Sequence, residues 1–366
     1  MDLSDQDMLR LNVLLAQDLH AIRIDESRME VHALSSKGEA RVPLHANCKE
    51  EKYLKIVRQW LSTKVLGSPG GYPVFLRRWT RMGQAKNDSL EKLLLLGEPE
   101  AVVAVVHVNS ITSEIARRAW WCAPNSENAR CLLESEQVAK TELGKELAEF
   151  LVEFLPFEET SKALMNSVRL ILQPNLIDEN TRQEIWKRGK RRNTYYVGFI
   201  QQCPQSMPGA AVAHPLHMNS PVAELTDAYS QKLSSIFSAQ GQSALEAMTT
   251  VLKKPNDQDV AIEIFNAIGK YFRTDKQQIY RWREMHELEA FVEITLNAPS
   301  DDLNHIMNTW PDARNYLYAV LYLSMISETL LDPVFGVTDA IGSVMRNRIS
   351  HLTDPILNQL NLLKAS

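Results

Sequence analysis

The chain has 366 residues, which is long enough for two or three domains of ordinary size. Its apolar content of 45% and charged content of 23% are typical of a folded globular protein and exclude a disordered or low-complexity chain. The formal net charge of −5 argues against general affinity for nucleic acid, because dedicated nucleic-acid-binding domains are normally basic.

Two stretches of the chain bear on its localisation. The most apolar run, residues 101–106, is far shorter than the roughly 20 residues that a transmembrane helix needs. The acidic start, residues 1–7, lacks the basic and apolar regions of a secretory signal. We therefore expect a soluble, cytoplasmic protein without a membrane segment.

Four cysteines are scattered along the sequence: Cys48, Cys122, Cys131 and Cys203. No two of them form a Cys-x-x-Cys pair, which is the usual spacing in metal cradles and redox motifs. Disulfides are rare in cytoplasmic proteins. We expect reduced, mostly buried thiols with neither a disulfide framework nor a cysteine-based metal site.

Residues 1–85 are predicted to form a small α+β element. Apolar residues at helical spacing after Ser4 indicate a short opening helix, and a second amphipathic helix is predicted over 50–66. Between them, short segments alternate partly in polarity and are separated by polar turns, which predicts a three-stranded β-meander. The predicted strands are 21–24, 29–34 and 40–44.

Residues 86–200 are predicted to be a run of short amphipathic helices separated by Gly, Asn and Pro. Such helices stack in pairs in repeat arrays, and they also close into bundles. Because the period is irregular, both an irregular α-solenoid and a helical bundle stay open. The predicted helices are 87–96, 98–108, 112–122, 126–135, 141–154, 158–172 and 178–188.

A proline-rich segment, 201–221, is predicted to be a linker or long loop, and a second all-α region is predicted over 222–366. The whole chain is therefore predicted to be mainly α, with its strands confined to the N-terminal element. The predicted helices of the last region are 222–237, 242–252, 257–272, 275–297, 301–308, 312–331, 334–347 and 353–364.

No catalytic signature stands out in the sequence. The glycine-rich segment 67–71 lacks the Lys-Ser/Thr that completes a phosphate-binding loop. Residues 286–290 begin like a zinc protease helix, but Ala290 occupies the position of the second His ligand. We therefore predict no catalytic residue and no cofactor, and we favour a protein that is not an enzyme.

Two pairs of His and acidic residues keep a metal-dependent enzyme as an alternative. His286 with Glu289, and Asp302 with His305, are each three residues apart on predicted helices, a spacing found in di-metal helical bundles. Those sites also need Glu ligands from facing helices, which the sequence does not reveal. Helix capping also accounts for an acid at position 302.

The strongest local signal is a basic segment with aromatic residues on both sides. It contains Lys187, Arg188, Lys190, Arg191 and Arg192. Cations neutralise phosphates and exposed aromatic rings stack on unpaired bases, so the combination is typical of nucleic-acid binding. The alternative is that the cations complement a helix C-terminus while the aromatic residues anchor the core.

Arg77, Arg78 and Arg81, close to Trp79, repeat this combination more weakly and are further candidates for contact with nucleic acid. No helix-turn-helix or other standard DNA-reading module accompanies either cluster. The absence of such a module argues against direct recognition of an operator sequence.

Two segments carry a resemblance to a known family. Residues 67–83, GSPGGYPVFLRRWTRMG, and residues 116–121, ARRAWW, resemble the DsrS family of accessory proteins. That family is encoded with the reverse-acting dissimilatory sulfite reductase system of sulfur-oxidising bacteria, and the similarity is strongest over residues 1–200. The resemblance implies a cytoplasmic protein linked to oxidation of stored sulfur through control of gene expression. It supplies no catalytic residues.

The sequence thus favours a non-enzymatic accessory or regulatory protein of oxidative sulfur metabolism that binds a protein partner through a helical surface. A nucleic-acid-binding regulator that uses residues 187–192 is the first alternative. A metal-dependent enzyme in the C-terminal helical region is the second.

Overall fold

The structure, a computed structural model, is mainly α-helical and carries a small antiparallel sheet near the N-terminus, which confirms the predicted fold class. It describes residues 3–67, 87–108, 110–209, 211–219, 225–274, 278 and 280–365. The chain divides into two compact units, Met1–Glu153 and Phe154–Ser366.

The predicted meander is present in the first unit. Its strands β1 (Leu19–Asp25), β2 (Glu30–Ser35) and β3 (Gly38–Pro43) pair antiparallel in the order β1-β2-β3. The β2–β3 turn is closed by Gly38, whose φ of +110° is a backbone conformation that residues with a side chain rarely adopt. Glycine at this position therefore allows the tight connection.

Two helices pack on the sheet and build the first part of the core. They are α1 (Asp5–Leu15) and α2 (Glu50–Leu66), and they bury Leu11, Tyr53 and Val57 against strand residues such as Val31. Burying apolar side chains of this size stabilises a fold by about 1.5–3 kcal/mol each.

A buried carboxylate fastens α1 to the rest of this layer. Asp7 is fully buried, and its Oδ2 accepts hydrogen bonds from the Tyr53 hydroxyl at 2.6 Å and from the His45 backbone N–H at 2.7 Å. Burial alone would raise the pKa of Asp7, but these bonds, together with those from the His45 ring and Ser4, hold it below its ordinary value of 3.8. The network links α1, the loop after β3 and α2.

Short capped helices fill the remainder of the first unit. Thr112 and Asn125 begin two of them by accepting a hydrogen bond from a backbone N–H three residues on. Trp120 then donates from Nε1 to Glu146 at 2.8 Å and joins two helices across the unit. The helices are α3 (Asn87–Leu93), α4 (Pro99–Val106), α5 (Ser113–Cys122), α6 (Ser126–Leu133), α7 (Glu136–Ala139) and α8 (Glu142–Phe154).

The second unit is built from helices, with 3₁₀ turns at Leu155–Phe157 and Glu328–Leu330. The helices are α9 (Ser161–Ile171), α10 (Glu179–Arg188), α11 (Thr194–Gln202), α12 (Leu216–Asn219), α13 (Ala228–Phe237), α14 (Ala239–Lys253), α15 (Gln258–Phe272), α16 (Met285–Asn297), α17 (Asp301–Thr309), α18 (Ala313–Ser324), α19 (Asp332–Phe335) and α20 (Gly342–Leu362).

Helix α11 lies at the centre of this unit. Every residue from Thr194 to Ile200 is buried, and the helix packs against α9, α14 and α15. These contacts join helices that are far apart in sequence, whereas in a solenoid each repeat contacts its neighbours. The second unit is therefore a bundle around α11.

Several predicted helix boundaries differ from the structure: the helix predicted over 222–237 begins at Ala228, and the one predicted over 312–331 ends at Ser324. The helix predicted over 275–297 begins at Met285. The helix predicted over 334–347 is divided between α19 and the start of α20, and α20 also fills the gap predicted before residue 353. The described part of the segment 201–221 includes the end of α11 and the short helix α12.

The Asp7 network generates a prediction about stability. Asp7→Asn keeps the shape of the side chain but removes its charge, so the bonds from Tyr53 and His45 become weaker. We expect the free energy of unfolding at pH 7 to fall by about 2 kcal/mol in urea denaturation of the whole chain. Asp5→Asn, on an exposed position of the same helix, is the matched control and should change it by less than about 0.5 kcal/mol.

The same pair of variants predicts a pH dependence. Because the pKa of Asp7 is lowered by folding, its carboxylate stabilises the fold above about 3.8 and loses this contribution as the pH falls through the lowered value. The stability gap between wild type and Asp7→Asn should therefore be constant near neutral pH and narrow below pH 4. A gap that widens in acid would contradict the assignment.

Candidate polyanion-binding cleft

The basic segment forms the exposed turn between α10 and the central helix α11. Helix α10 begins at the cap Asp178, whose carboxylate accepts the Thr181 N–H at 2.9 Å, and ends at Arg188. Gly189 follows and is buried against the Tyr196 ring, where an added Cβ would overlap the ring atoms. This close approach places the next two residues, Lys190 and Arg191, on the surface.

The turn forms one wall of an open cleft of about 710 Å³ in the second unit. The other walls come from α14, from the residues that follow it and from the loop before α12. The lining residues are Trp186, Lys187, Gly189, Lys190, Arg191, Asn193, Tyr196, Pro208, Gly209, Ser243, Glu246, Ala247, Thr250, Lys254 and Asn256.

Four cations and one carboxylate line the cleft. Lys187 is paired, with its Nζ 2.6 Å from an oxygen of Glu184. Lys190, Arg191 and Lys254 are exposed and have no carboxylate within 4.0 Å among the residues that the structure describes. A concave surface lined mainly by positive charge concentrates the electrostatic field, so the cleft attracts anions.

Arg188 and Arg192, also predicted as nucleic-acid contacts, are not part of the cleft lining. Arg192 donates from Nη1 to the Glu158 carbonyl at 3.3 Å, and Arg188 buries its Nη1. The basic segment thus divides into side chains that face the cleft and side chains that hold the turn against the protein.

The aromatic residues of the segment belong to the core. Tyr195 and Tyr196 are 5% and 7% exposed, and the Trp186 ring centroid lies 4.5 Å from that of Tyr196 and 5.0 Å from that of Phe199. Rings packed in this way form a wall and offer little free face to a base. These rings therefore fit the alternative in which the aromatic residues anchor the core. The exposed cations are the part of the segment that can bind a ligand.

Amide side chains fasten the two walls to each other. Asn193 donates from Nδ2 to the Lys254 carbonyl at 2.9 Å, and Asn256 donates to the Thr194 hydroxyl at 3.1 Å. The Asn193 Oδ1 is buried without a hydrogen-bond partner. These bonds hold Lys254 beside the start of α11 although the two are about 60 residues apart in sequence.

Polar groups at the base of the cleft favour binding over reaction. The Ser243 hydroxyl accepts the Ala211 N–H at 3.2 Å, and burial, followed by the charge of Glu246, raises the pKa of Tyr196. Among the residues that the structure describes, the lining includes no His, Cys or Asp that could activate a nucleophile. The arrangement can hold phosphate oxygens, which accept hydrogen bonds from Lys, Arg, amide and hydroxyl donors.

Sequence reasoning missed Lys254 and Asn256, because nothing in the segment that follows α14 connects it to the distant basic segment. The other arginine cluster, Arg77, Arg78 and Arg81, lies outside the described residues. The larger part of the segment 67–83, which carries the family resemblance, is also outside them.

The predicted metal ligands are distributed over two helices. His286 and Glu289 lie on α16 and, together with His351 of α20, line a cavity of about 300 Å³. Asp302 and His305 lie on α17 and do not line it. Among the described residues, no three His, Cys, Asp or Glu side chains form a group that could hold a metal ion, so these four residues are not assembled into one.

Comparisons with known proteins add no relative to this description. No family model, no curated protein and no solved structure matches the chain. Within the described part of the chain, no helix is both long enough and apolar enough to span a membrane.

The position of Gly189 generates a prediction about the cleft wall. Gly→Ala in right-handed helical backbone normally stabilises a protein by about 0.4–1 kcal/mol, but a methyl group at 189 overlaps the Tyr196 ring. We expect Gly189→Ala to lower the free energy of unfolding by about 1–3 kcal/mol in urea denaturation. Lys190→Ala, one residue on and exposed, should change it by less than about 0.5 kcal/mol.

Proposed function

We propose that this protein is a non-enzymatic regulator that binds single-stranded nucleic acid in the basic cleft of its second unit. The observation that carries the proposal is the meeting in one cleft of three exposed cations, Lys190, Arg191 and Lys254, that have no carboxylate partner within the described parts of the chain. Cations in such a position neutralise backbone phosphates and release the condensed counterions.

The concave form of the site favours a single strand. A duplex presents a broad and convex backbone, whereas a flexible strand can enter a cleft and follow its charged wall. Because Tyr195 and Tyr196 are buried, stacking on bases contributes little. We therefore infer that binding depends on the phosphate backbone and shows weak preference for base sequence.

The acidic chain as a whole limits this affinity to the cleft. With a net charge of −5, the protein does not attract nucleic acid over its entire surface. Glu246, an exposed carboxylate in the lining, repels phosphate from its side of the cleft and so directs the backbone towards the cationic wall.

The biological setting of this proposal rests on the resemblance to the DsrS family. We propose that the protein acts in the cytoplasm as a regulator of sulfur-oxidation gene expression. A single strand is the form in which messenger RNA is accessible, which is compatible with control of expression without an operator-reading module. A protein partner bound through a helical surface stays a prediction.

The test is the salt dependence of binding. Anisotropy of a fluorescein-labelled 20-nucleotide single strand should be titrated with the full-length protein at several KCl concentrations. Contacts with up to four phosphates predict a slope of log Kd against log salt of about 2.8, and Lys190→Ala/Arg191→Ala/Lys254→Ala should reduce that slope by about 2. Affinity at low salt should fall at least about tenfold.

The matched control removes the same charge elsewhere. Lys162, Lys270 and Arg348 are exposed in the same unit and do not line the cleft, so their triple alanine variant should bind like wild type. Equal losses of affinity in both triple variants would show that only net charge matters and would contradict binding in the cleft. If a mononucleotide competes as strongly as the 20-nucleotide strand, the ligand of the cleft is a small phosphorylated molecule and the proposal of nucleic-acid binding is wrong.

A further inference from the structure

A thiol and an imidazole lie together in the first unit. Cys131 lies on α6 and His107 directly follows the end of α4, and Sγ is 3.5 Å from Nε2. A sulfur donor reaches an acceptor at this distance, so the pair is hydrogen-bonded. Nucleophilic cysteines are activated by an adjacent base in such an arrangement.

A third group sets the protonation of the imidazole. His107 Nδ1 lies 2.8 Å from the carbonyl oxygen of Val103, one turn back along α4. A carbonyl can accept but not donate a hydrogen bond, so in the neutral ring Nδ1 carries the proton and Nε2 presents its lone pair to Cys131.

The pair opens into a small cavity. Its volume is about 230 Å³, and Val106, Val108 and Ile111 supply apolar wall. Cys131, His107, Glu134 and Ser135 complete the lining. Cys131 itself is partly exposed, so a small molecule that enters the cavity can reach the sulfur.

We propose that Cys131 and His107 form a nucleophile–base pair and that Cys131 forms covalent adducts with small, uncharged electrophiles that enter this cavity. The cavity is a modification site of the first unit and is independent of the proposed binding of nucleic acid. Nothing in the predicted pattern of cysteines indicated it, because 24 residues separate the two partners.

Surrounding charges select against anionic electrophiles. Burial, and then the charges of Glu127 and Glu134, raise the pKa of the Cys131 thiol, while Arg130 opposes them. At neutral pH the sulfur is therefore mainly protonated, and its reaction depends on removal of the proton by His107. Glu134, the carboxylate in the described lining of the cavity, repels anions that approach it, whereas an uncharged reagent meets apolar walls.

The other three cysteines lack this arrangement. Burial raises the pKa of Cys122 to about 12, and its Sγ lies 3.6 Å from the Ile22 carbonyl. Cys203 lies 3.6 Å from an Arg182 nitrogen, and burial raises its pKa as well. Cys48 contacts the Lys49 carbonyl at 3.7 Å. Cys131 is the cysteine whose sulfur is paired with an imidazole among the described residues.

The covalent step needs no reagent other than the electrophile. His107 Nε2 takes the proton from Sγ, a sulfur lone pair forms the new bond to the electrophilic carbon, and the leaving group departs with the electrons of the bond that breaks. With iodoacetamide the leaving group is iodide, and the imidazolium then releases its proton to water. No separate oxidant or reductant is required.

The experiment measures alkylation rates of each cysteine in the full-length protein by peptide mass spectrometry. His107→Asn can still donate a hydrogen bond to the Val103 carbonyl but has no basic nitrogen. We expect it to slow iodoacetamide labelling of Cys131 at least about tenfold, within the range of general base catalysis, and to leave Cys48 unchanged. The pH profile of labelling at Cys131 should differ between wild type and the variant, because only the wild type offers a base to the thiol.

Charge selectivity gives an independent readout. The rate with iodoacetate relative to iodoacetamide should be lower at Cys131 than at Cys48. Cys122 reports on folding, because burial raises its pKa to about 12 and rapid labelling of this thiol marks an unfolded variant. In that case His107→Gln takes the place of His107→Asn. Equal Cys131 rates and equal pH profiles in wild type and the folded variant would overturn the proposal.

Discussion

The candidate cleft depends on the burial of α11 from Thr194 to Ile200. This buried segment leaves no room within the bundle for the chain that leads into it, so the residues just before the helix lie at or near the surface. The polypeptide meets this constraint with the segment between Gly189 and Asn193. Cations are tolerated there because their charged ends stay in water, whereas the following residues, Thr194 to Ile200, are buried.

Burial of the helix also explains why the cations are held in place. Lys190 and Arg191 have flexible side chains, but their backbone is fixed by the contact of Gly189 with the Tyr196 ring and by the Asn193 bond to the Lys254 carbonyl. The wall of the cleft is thus an extension of the core. A site built on rigid elements loses less conformational entropy when it binds a ligand than a site on a free loop.

Hydrophobic periodicity predicted most of the fold, and its failures have a common cause. Residues along the β-meander and along the capped helices of the first unit alternate between the core and the solvent, and this alternation is visible in the sequence. Helix α11 has no polar face over Tyr195–Ile200, so it carries no helical period and was missed as an element although its burial was expected. The gap predicted between helices 334–347 and 353–364 is also absent, because α20 runs without interruption from Gly342 to Leu362. Lys254 and the Cys131–His107 pair depend on tertiary contacts that no local pattern contains.

The two proposed sites respond to solution conditions in different ways because their physical bases differ. Attraction between the exposed cations and phosphate acts over a range comparable to the Debye length, about 8 Å at physiological salt, and weakens as salt rises. Proton transfer from Cys131 to His107 occurs between neutral groups in hydrogen-bond contact, so salt has little influence on it and pH has a large one. Each site can therefore be perturbed without the other, and loss of one function leaves the second available as a measure of an intact fold.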